Sequence, residues 1–200
     1  HDVTDIATAY AVRAAEYADT LGSMNAVHPS DRQLVDAWSS NVSGPILDAG
    51  CGPGHWTDHL HRRGLDVHGV DIVPEFIDRA RSDYPSVPFT LGSIDAIDEP
   101  DDSLGGILSW FSTIHHEPPR IMIPLLEFAR VLRPGGTLLL GYFDGAEVEP
   151  FDHAVVRAYR WPAGELSAVL ENAGFDVIET HRRTERGHRD VGAILCERAR

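Results

Sequence analysis

Three glycines, Gly50, Gly52 and Gly54, fall within five positions of "PILDAGCGPGHW", directly after an apolar run that ends at Asp48. Glycine lets a backbone turn through conformations closed to other residues and lets a ligand lie against peptide groups. A strand before such a loop and a helix after it is the setting of a nucleotide-binding turn. A dinucleotide loop reads G-x-G-x-x-G, but here His55 stands three positions after Gly52 and the third glycine comes one residue early. Asp48 is a poor neighbour for a pyrophosphate and a good one for an ammonium or sulfonium group. The loop therefore favours a cationic, amino-acid-bearing nucleoside over a nicotinamide dinucleotide. Asp71 in "LDVHGVDI" lies 21 positions after Gly50 (71 − 50). That is close to the spacing of about 20 at which an acidic residue accepts from ribose hydroxyls. It is also placed to cap the helix that starts at "DIVPEF".

His115 and His116 in "STIHHEPP" follow a strand at the edge where such sheets bind ligands, and histidine titrates in the range useful to a general base. They equally suit a loop held by hydrogen bonds, and adjacent residues rarely both face a site. With Glu117 they also form a conceivable metal set, but no matching cluster stands elsewhere, so no metal is expected. The acidic run 98–102 reads as a solvated turn. His153, Arg157, Tyr159, Arg160 and Trp161 lie in a segment that would roof an acceptor pocket for a small planar or anionic molecule, or else form an amphipathic helix using arginine stems as packing.

The elements that must position these residues can be read from periodicity. "TDIATAYAVRAAEYADTLG" carries Ile6, Tyr10, Ala14 and Tyr17 at helical spacing, which predicts one helix of about four turns from Thr4 to the stop at Gly22. Ser30 with Gln33 is a capping-box pattern opening a helix with Leu34, Val35 and Trp38. Strands are expected at 45–49, 66–71, 88–91, 104–110 and 137–143, with helices at 55–63, 74–82 and 119–132 between them. A "RPGG" turn precedes the fifth strand. A helix at 163–173 and strands near 175–180 and 190–197 close the chain. Segments 22–30, 97–103 and 144–161 resist regular assignment. This β-α rhythm predicts an α/β fold, a mostly parallel sheet with helices on both faces.

The 200 residues suit one domain, divided into a helical cap (1–44), a cofactor-binding core (45–143), an acceptor-side insert (144–161) and a closing helix with strands (162–200). A formal charge of -14 disfavours nucleic acid and anionic membranes as partners. All 17 basic residues are arginine, which removes lysine Schiff-base and P-loop chemistry. Cys51 and Cys196 form no C-x-x-C unit, no apolar stretch is long enough to span a membrane, and no export signal is visible. The expectation is a cytoplasmic protein, monomeric or homodimeric.

With these motifs in order, the chain resembles the class I S-adenosylmethionine-dependent methyltransferases. The matching elements are "LDAGCGPG", "VHGVDIVPEFIDRAR", "FTLGSID", "GGILSWFSTIHHEPP", "LLEFARVLRPGGTLLLGYF" and "LSAVLENAGFDVIE". The resemblance implies a three-layer Rossmann-like sheet of seven strands, ordered 3-2-1-4-5-7-6 with the last antiparallel. It implies S-adenosylmethionine as cofactor, S-adenosylhomocysteine as product and a small-molecule acceptor. Gly50, Cys51 and Gly52 would lie against the methionine part and ribose, with Asp48 supporting the loop or the amino group. Asp71 would bind the ribose hydroxyls, and Ile72 would pack on the adenine. Ser93 stands where the family commonly has an acidic residue for the adenine amine, and the backbone of Ile94 would meet the adenine edge. Ser109, Trp110 and Phe111 would face the methionine part, Trp110 and Phe111 being equally suited to the core. Tyr17 and Tyr10 belong to a helix that folds over the cofactor in similar enzymes, or to a buried stripe. A nicotinamide-dependent oxidoreductase and a cofactor-binding regulator without turnover remain alternatives.

Overall fold

The computed structural model describes residues 3–153 and 156–200; residues 1–2 and 154–155, in the expected cap and insert, lie outside the described residues. Five strands run parallel in the order β3-β2-β1-β4-β5: β1 (Ile46–Ala49), β2 (Val67–Asp71), β3 (Phe89–Leu91), β4 (Leu104–Trp110) and β5 (Leu132–Asp144). Two more strands, β6 (Glu149–Phe151) and β7 (Ala158–Trp161), form an antiparallel pair. The last two, β8 (Phe175–Arg183) and β9 (Val191–Arg198), also pair antiparallel, and β9 runs antiparallel along β5. The expected mostly parallel sheet is present, closed by an antiparallel final strand and widened by the β6–β7 hairpin.

Strand β1 is buried at all four positions, as a central parallel strand covered on both faces must be. The period of two divides β5 between the layers. Leu138 and Leu140 pack with Leu125 and Phe128 of α6 (Met122–Val131) and with Leu166 and Leu170 of α7 (Ala163–Asn172). Leu139 faces the other way. It joins Val35 and Trp38 of α3 (Pro29–Ser40) and Trp56 and Leu60 of α4 (His55–Arg62). The fifth flanking helix, α5 (Pro74–Asp83), lies over β3 and carries Phe76 toward the N-terminal helices.

Four local expectations are corrected. The single N-terminal helix is two, α1 (Val3–Val12) and α2 (Ala14–Leu21), broken at Arg13 where φ is -117° and ψ 14°. Both halves keep their tyrosines on Phe76, at ring-centroid distances of 5.8 Å for Tyr10 and 5.3 Å for Tyr17. The cap of α3 is not Ser30 but His28, whose Nδ1 accepts from the Ser30 amide at 3.1 Å, with Pro29 filling the first helical position. "RPGG" is a bulge inside β5: the register with β4 jumps from Leu104↔Leu132 to Gly106↔Thr137, and Gly135 takes φ +82°. Finally, the insert is not irregular throughout. Its hairpin pairs Glu149 with Arg160, and β7 continues parallel beside Phe143 and Asp144, beyond the end of β4. The sequence signal was weakened by Pro150, which an edge strand tolerates because it needs no amide on the outer side.

Candidate active site

The strand ends β1, β2, β4 and β5 converge on one cavity of about 360 Å³, over which α1 and α2 lie. Gly50, Gly52 and Gly54 all have positive φ, at +82°, +56° and +93°. What each lacks differs. A Cβ on Gly50 would come within 2.3 Å of the Ser112 Cβ, and one on Gly54 within 2.6 Å of the Phe89 ring. One on Gly52 would meet nothing within 4 Å, so this glycine alone keeps open space where the loop borders the cavity.

Both predicted aspartates line the cavity. Asp48, 2% exposed, accepts from the Thr57 hydroxyl at 2.7 Å through Oδ2. Burial pushes its carboxyl up to about 7, the Thr57 bond opposes this and the charge of Asp71 adds to it. Asp71, 9% exposed, accepts from the amides of Gly52 and Val73, each at 2.9 Å, one on each carboxylate oxygen. Burial raises it too, against those backbone bonds. Each oxygen keeps a second lone pair toward a ligand. Two buried carboxylates with no arginine on either among the described residues are costly as an anionic pair, and a cation entering the cavity relieves that cost. The donor set thus fits the cationic nucleoside read from the loop.

Tyr17, Cys51, Ile72, Ser93, Ile94 and Trp110 also line the cavity, as do both histidines and Phe111. Cys51 is buried and its thiol is pushed well up, so it packs as a small apolar group and does not react as a thiolate. Ser109 is the exception. It is fully buried away from the cavity, and its hydroxyl is 2.7 Å from that of Ser112, the neighbour that does line it. Phe111 holds φ 60°, costly for a bulky residue by about 1–3 kcal/mol. This turn sets its ring 5.0 Å from that of Phe143 at the end of β5.

The two histidines part company. His116 Nε2 is 2.7 Å from Asp95 Oδ1, a hydrogen-bonding contact that ties the loop after β4 to the loop after β3. His115, 6% exposed, has Nδ1 2.8 Å from the Arg157 carbonyl and Nε2 2.7 Å from the Tyr10 hydroxyl. A carbonyl only accepts, so Nδ1 carries the proton and Nε2 presents its lone pair to the Tyr10 O–H. Burial lowers His115 to about 4, keeping it neutral near pH 7.

Of the five insert residues proposed as a roof, only His153 lines the cavity. Arg157 contributes its carbonyl, Tyr159 donates its amide to the Ile114 carbonyl at 2.9 Å, Trp161 joins the core, and the Arg160 guanidinium lies 4.8 Å over Phe151. Sequence reasoning missed Ser112, Asp95, Phe143 and Phe76. The turn at "GSID", where the Ser93 hydroxyl accepts from the Asp95 amide at 3.1 Å, was a usable signal for Asp95; the others are set by long-range packing alone. Among the described residues no group of three or more His, Cys, Asp or Glu could hold a metal ion, and no helix is long and apolar enough to cross a membrane.

This parallel sheet, with its glycine turn after β1 and a carboxylate at the end of β2, defines a Rossmann-like protein that binds a nucleoside cofactor at the carboxyl edge of its strands. Comparison with known proteins narrows the class. Residues 46–136 match the family profile of a methyltransferase domain. An uncharacterized methyltransferase of Mycobacterium tuberculosis is 42% identical over 126 residues, 61% of this chain and 49% of its own. The malonyl-[acyl-carrier protein] O-methyltransferase of Yersinia pestis is 33% identical over 143 residues, 69% of this chain and 50% of its own. The chain thus spans about half the length of the curated relatives it matches. A Burkholderia thailandensis 1,6-didemethyltoxoflavin-N1-methyltransferase, solved with its acceptor and S-adenosylhomocysteine, superimposes with a TM-score of 0.79 at 18% identity, covering 100% of this chain and 92% of the other. Residues 46–136 thus carry a methyltransferase domain, and the proteins this chain is similar to support S-adenosylmethionine as its cofactor.

Proposed function

We propose that the protein transfers a methyl group from S-adenosylmethionine to a small-molecule acceptor. The observation that carries this reading is the pair of buried carboxylates, Asp48 and Asp71, beside a glycine loop whose Gly52 leaves room for a ligand against the backbone. When bound, the cofactor supplies an electrophilic methyl on a sulfonium for in-line displacement. Asp71 holds the ribose with the lone pairs left by Gly52 and Val73, and Asp48 faces the amino-acid part. Ile72 and Ile94 flank the adenine, with the Ser93–Asp95 turn at its edge. Tyr17 and Tyr10 close the cavity from α1 and α2 and exclude water, which sharpens every electrostatic contact inside.

His115 is the residue placed to receive a proton relayed from the acceptor: the Tyr10 hydroxyl passes its own proton to Nε2 as it takes the acceptor's. Its Nε2 lone pair is held by the Tyr10 hydroxyl, and its Nδ1–H is anchored on the Arg157 carbonyl, which steadies the imidazolium once formed. His116, tied to Asp95, positions the loop. The two acceptors named among the similar proteins, a malonyl group on a carrier protein and a fused heteroaromatic ring, differ in chemistry, so the acceptor needs its own argument.

Calorimetry tests the cofactor assignment. S-adenosylhomocysteine should bind in the micromolar range and NADH should not, and Asp71→Ala should weaken the former by about 1–3 kcal/mol. Binding of NADH alone would give the site to a hydride-transfer enzyme. An unchanged affinity in Asp71→Ala would remove the ribose role. Tight binding with no transfer to any acceptor in a broad labelled-methyl screen would leave a cofactor-binding regulator.

A further inference from the structure

We propose that the acceptor compartment takes a planar aromatic or heteroaromatic ring bearing an O–H or N–H, stacked against Phe143 and Phe111, and that it rejects aliphatic carboxylates. This rests on the methyl-transfer reading and names the substrate class of that site. Beyond the glycine loop, the cavity is walled by a run of touching rings: Phe111 to Phe143 at 5.0 Å, Phe143 to His153 at 5.8 Å, His153 to His115 at 5.5 Å and His115 to Tyr10 at 5.4 Å. Their interplanar angles lie between 53° and 74°, so each ring meets its neighbour edge-on or tilted and none stacks flat on the next. An aromatic ligand gains offset stacking on such faces, where an aliphatic chain gains only area.

The buried carboxylates in the cavity are all committed elsewhere. Asp48 and Asp71 sit at the glycine-loop end, and Asp95 is paired with His116. Among the described lining residues Arg120 is the only arginine, and it is exposed at the rim with Glu117. A carboxylate pushed among the rings would find no buried cation, and an unpaired buried charge is strongly disfavoured. Burial also lowers His115 and His153, the latter helped by the charge of exposed Arg189, so neither supplies that cation. What the compartment does offer is the Tyr10 oxygen. Its proton is given to His115 Nε2, which leaves its lone pairs to accept from a phenolic O–H or a ring N–H.

The test uses the protein loaded with S-adenosylhomocysteine and two probes: 7-hydroxycoumarin, a planar ring with an acidic hydroxyl, and malonyl-N-acetylcysteamine, an aliphatic carboxylate. The coumarin should bind saturably, followed by its fluorescence, and the malonyl probe should not. Phe143→Ala should weaken coumarin binding by at least about tenfold, and Phe143→Leu, which keeps most of the volume, by a smaller factor. Affinity for S-adenosylhomocysteine, measured on the same samples, should stay within about twofold and certify that each variant is folded. Preference for the malonyl probe, coumarin binding indifferent to both Phe143 variants, or binding of neither probe with S-adenosylhomocysteine still bound would each overturn the assignment. Failure to bind S-adenosylhomocysteine at all would instead strike the methyl-transfer reading itself.

Discussion

Asp48→Asn should make the protein more stable and the cofactor bind less tightly. The Asp48 carboxyl is raised from its ordinary 3.8 to about 7, chiefly by burial and further by the charge of Asp71. A raised acid binds protons more tightly folded than unfolded, so its cost is absent below 3.8, grows as pH rises and is complete above about 7. Three pH units at about 1.36 kcal/mol each set a ceiling near 4 kcal/mol; water reaching the cavity lowers this, and about 2 kcal/mol is expected. The Asn carbonyl still accepts from Thr57, so the bond at 2.7 Å need not be lost. Urea denaturation should show the variant gaining about 2 kcal/mol over wild type at pH 8 and almost nothing at pH 4. At pH 8 its affinity for S-adenosylhomocysteine should fall by about 1–3 kcal/mol, because an ammonium group loses its charged partner. A stability gain equal at both pH values, or a loss at pH 8, would refute the claim that an unpaired buried charge sits at this position.

Three further outcomes follow from the same geometry. Gly52→Ala should cost only about 1 kcal/mol of stability, since its Cβ enters open space at φ +56°, yet weaken S-adenosylhomocysteine by more than about tenfold in calorimetry; Gly54→Ala, driven into Phe89, should instead lower the melting temperature. His115→Gln should cut turnover about 10²- to 10⁴-fold and flatten the pH–rate profile, whereas His116→Gln should change the rate without moving that profile; identical profiles for the two would assign both to structure. His55 and His115 are both lowered by burial from 6.5 to about 4, so the unfolded chain takes up their protons first. Their contribution to stability is intact above 6.5 and lost as pH falls toward 4, a decline that denaturant titration should find reduced in a His55→Gln variant.

How far the sequence reached depends on the distance over which each feature is determined. The glycine turn, Asp48 and Asp71 lie within 24 positions of one another (71 − 48 + 1) and are joined by a strand, a helix and a strand whose periods are plain. Adjacent parallel strands then force the two carboxylates into one cavity, as Asp48↔Gly69 and Ala49↔Val70 show. The family resemblance puts Ser109 at the site beside Trp110 and Phe111. Alternation along β4 instead sends it inward, and Ser112 comes round to the cavity after the left-handed turn at Phe111. No local propensity marks a phenylalanine for φ 60°; packing against Trp110 and Phe143 holds it there. Nor could the sequence separate the adjacent histidines, because their roles come from partners 105 and 21 positions away, Tyr10 and Asp95.

The cavity therefore has two ends of opposite chemistry, and their order along the sheet has a mechanistic consequence. At the glycine loop, two carboxylates favour positive charge; among the rings, burial disfavours charge of either sign. Methyl transfer from a sulfonium to a neutral O–H or N–H removes a positive charge from the first end and delivers a proton to the second. In the proposed reaction His115 holds it, its Nδ1–H anchored on the Arg157 carbonyl. Because Arg157 stands in the β6–β7 segment and Tyr10 in α1, the hydrogen bonds at 2.8 and 2.7 Å join the insert, the loop after β4 and the N-terminal helices at one imidazole. Tyr10→Phe, which removes the hydroxyl but keeps the ring, would therefore cut the link between acceptor and imidazole in that reaction and should lower turnover with little effect on S-adenosylhomocysteine affinity.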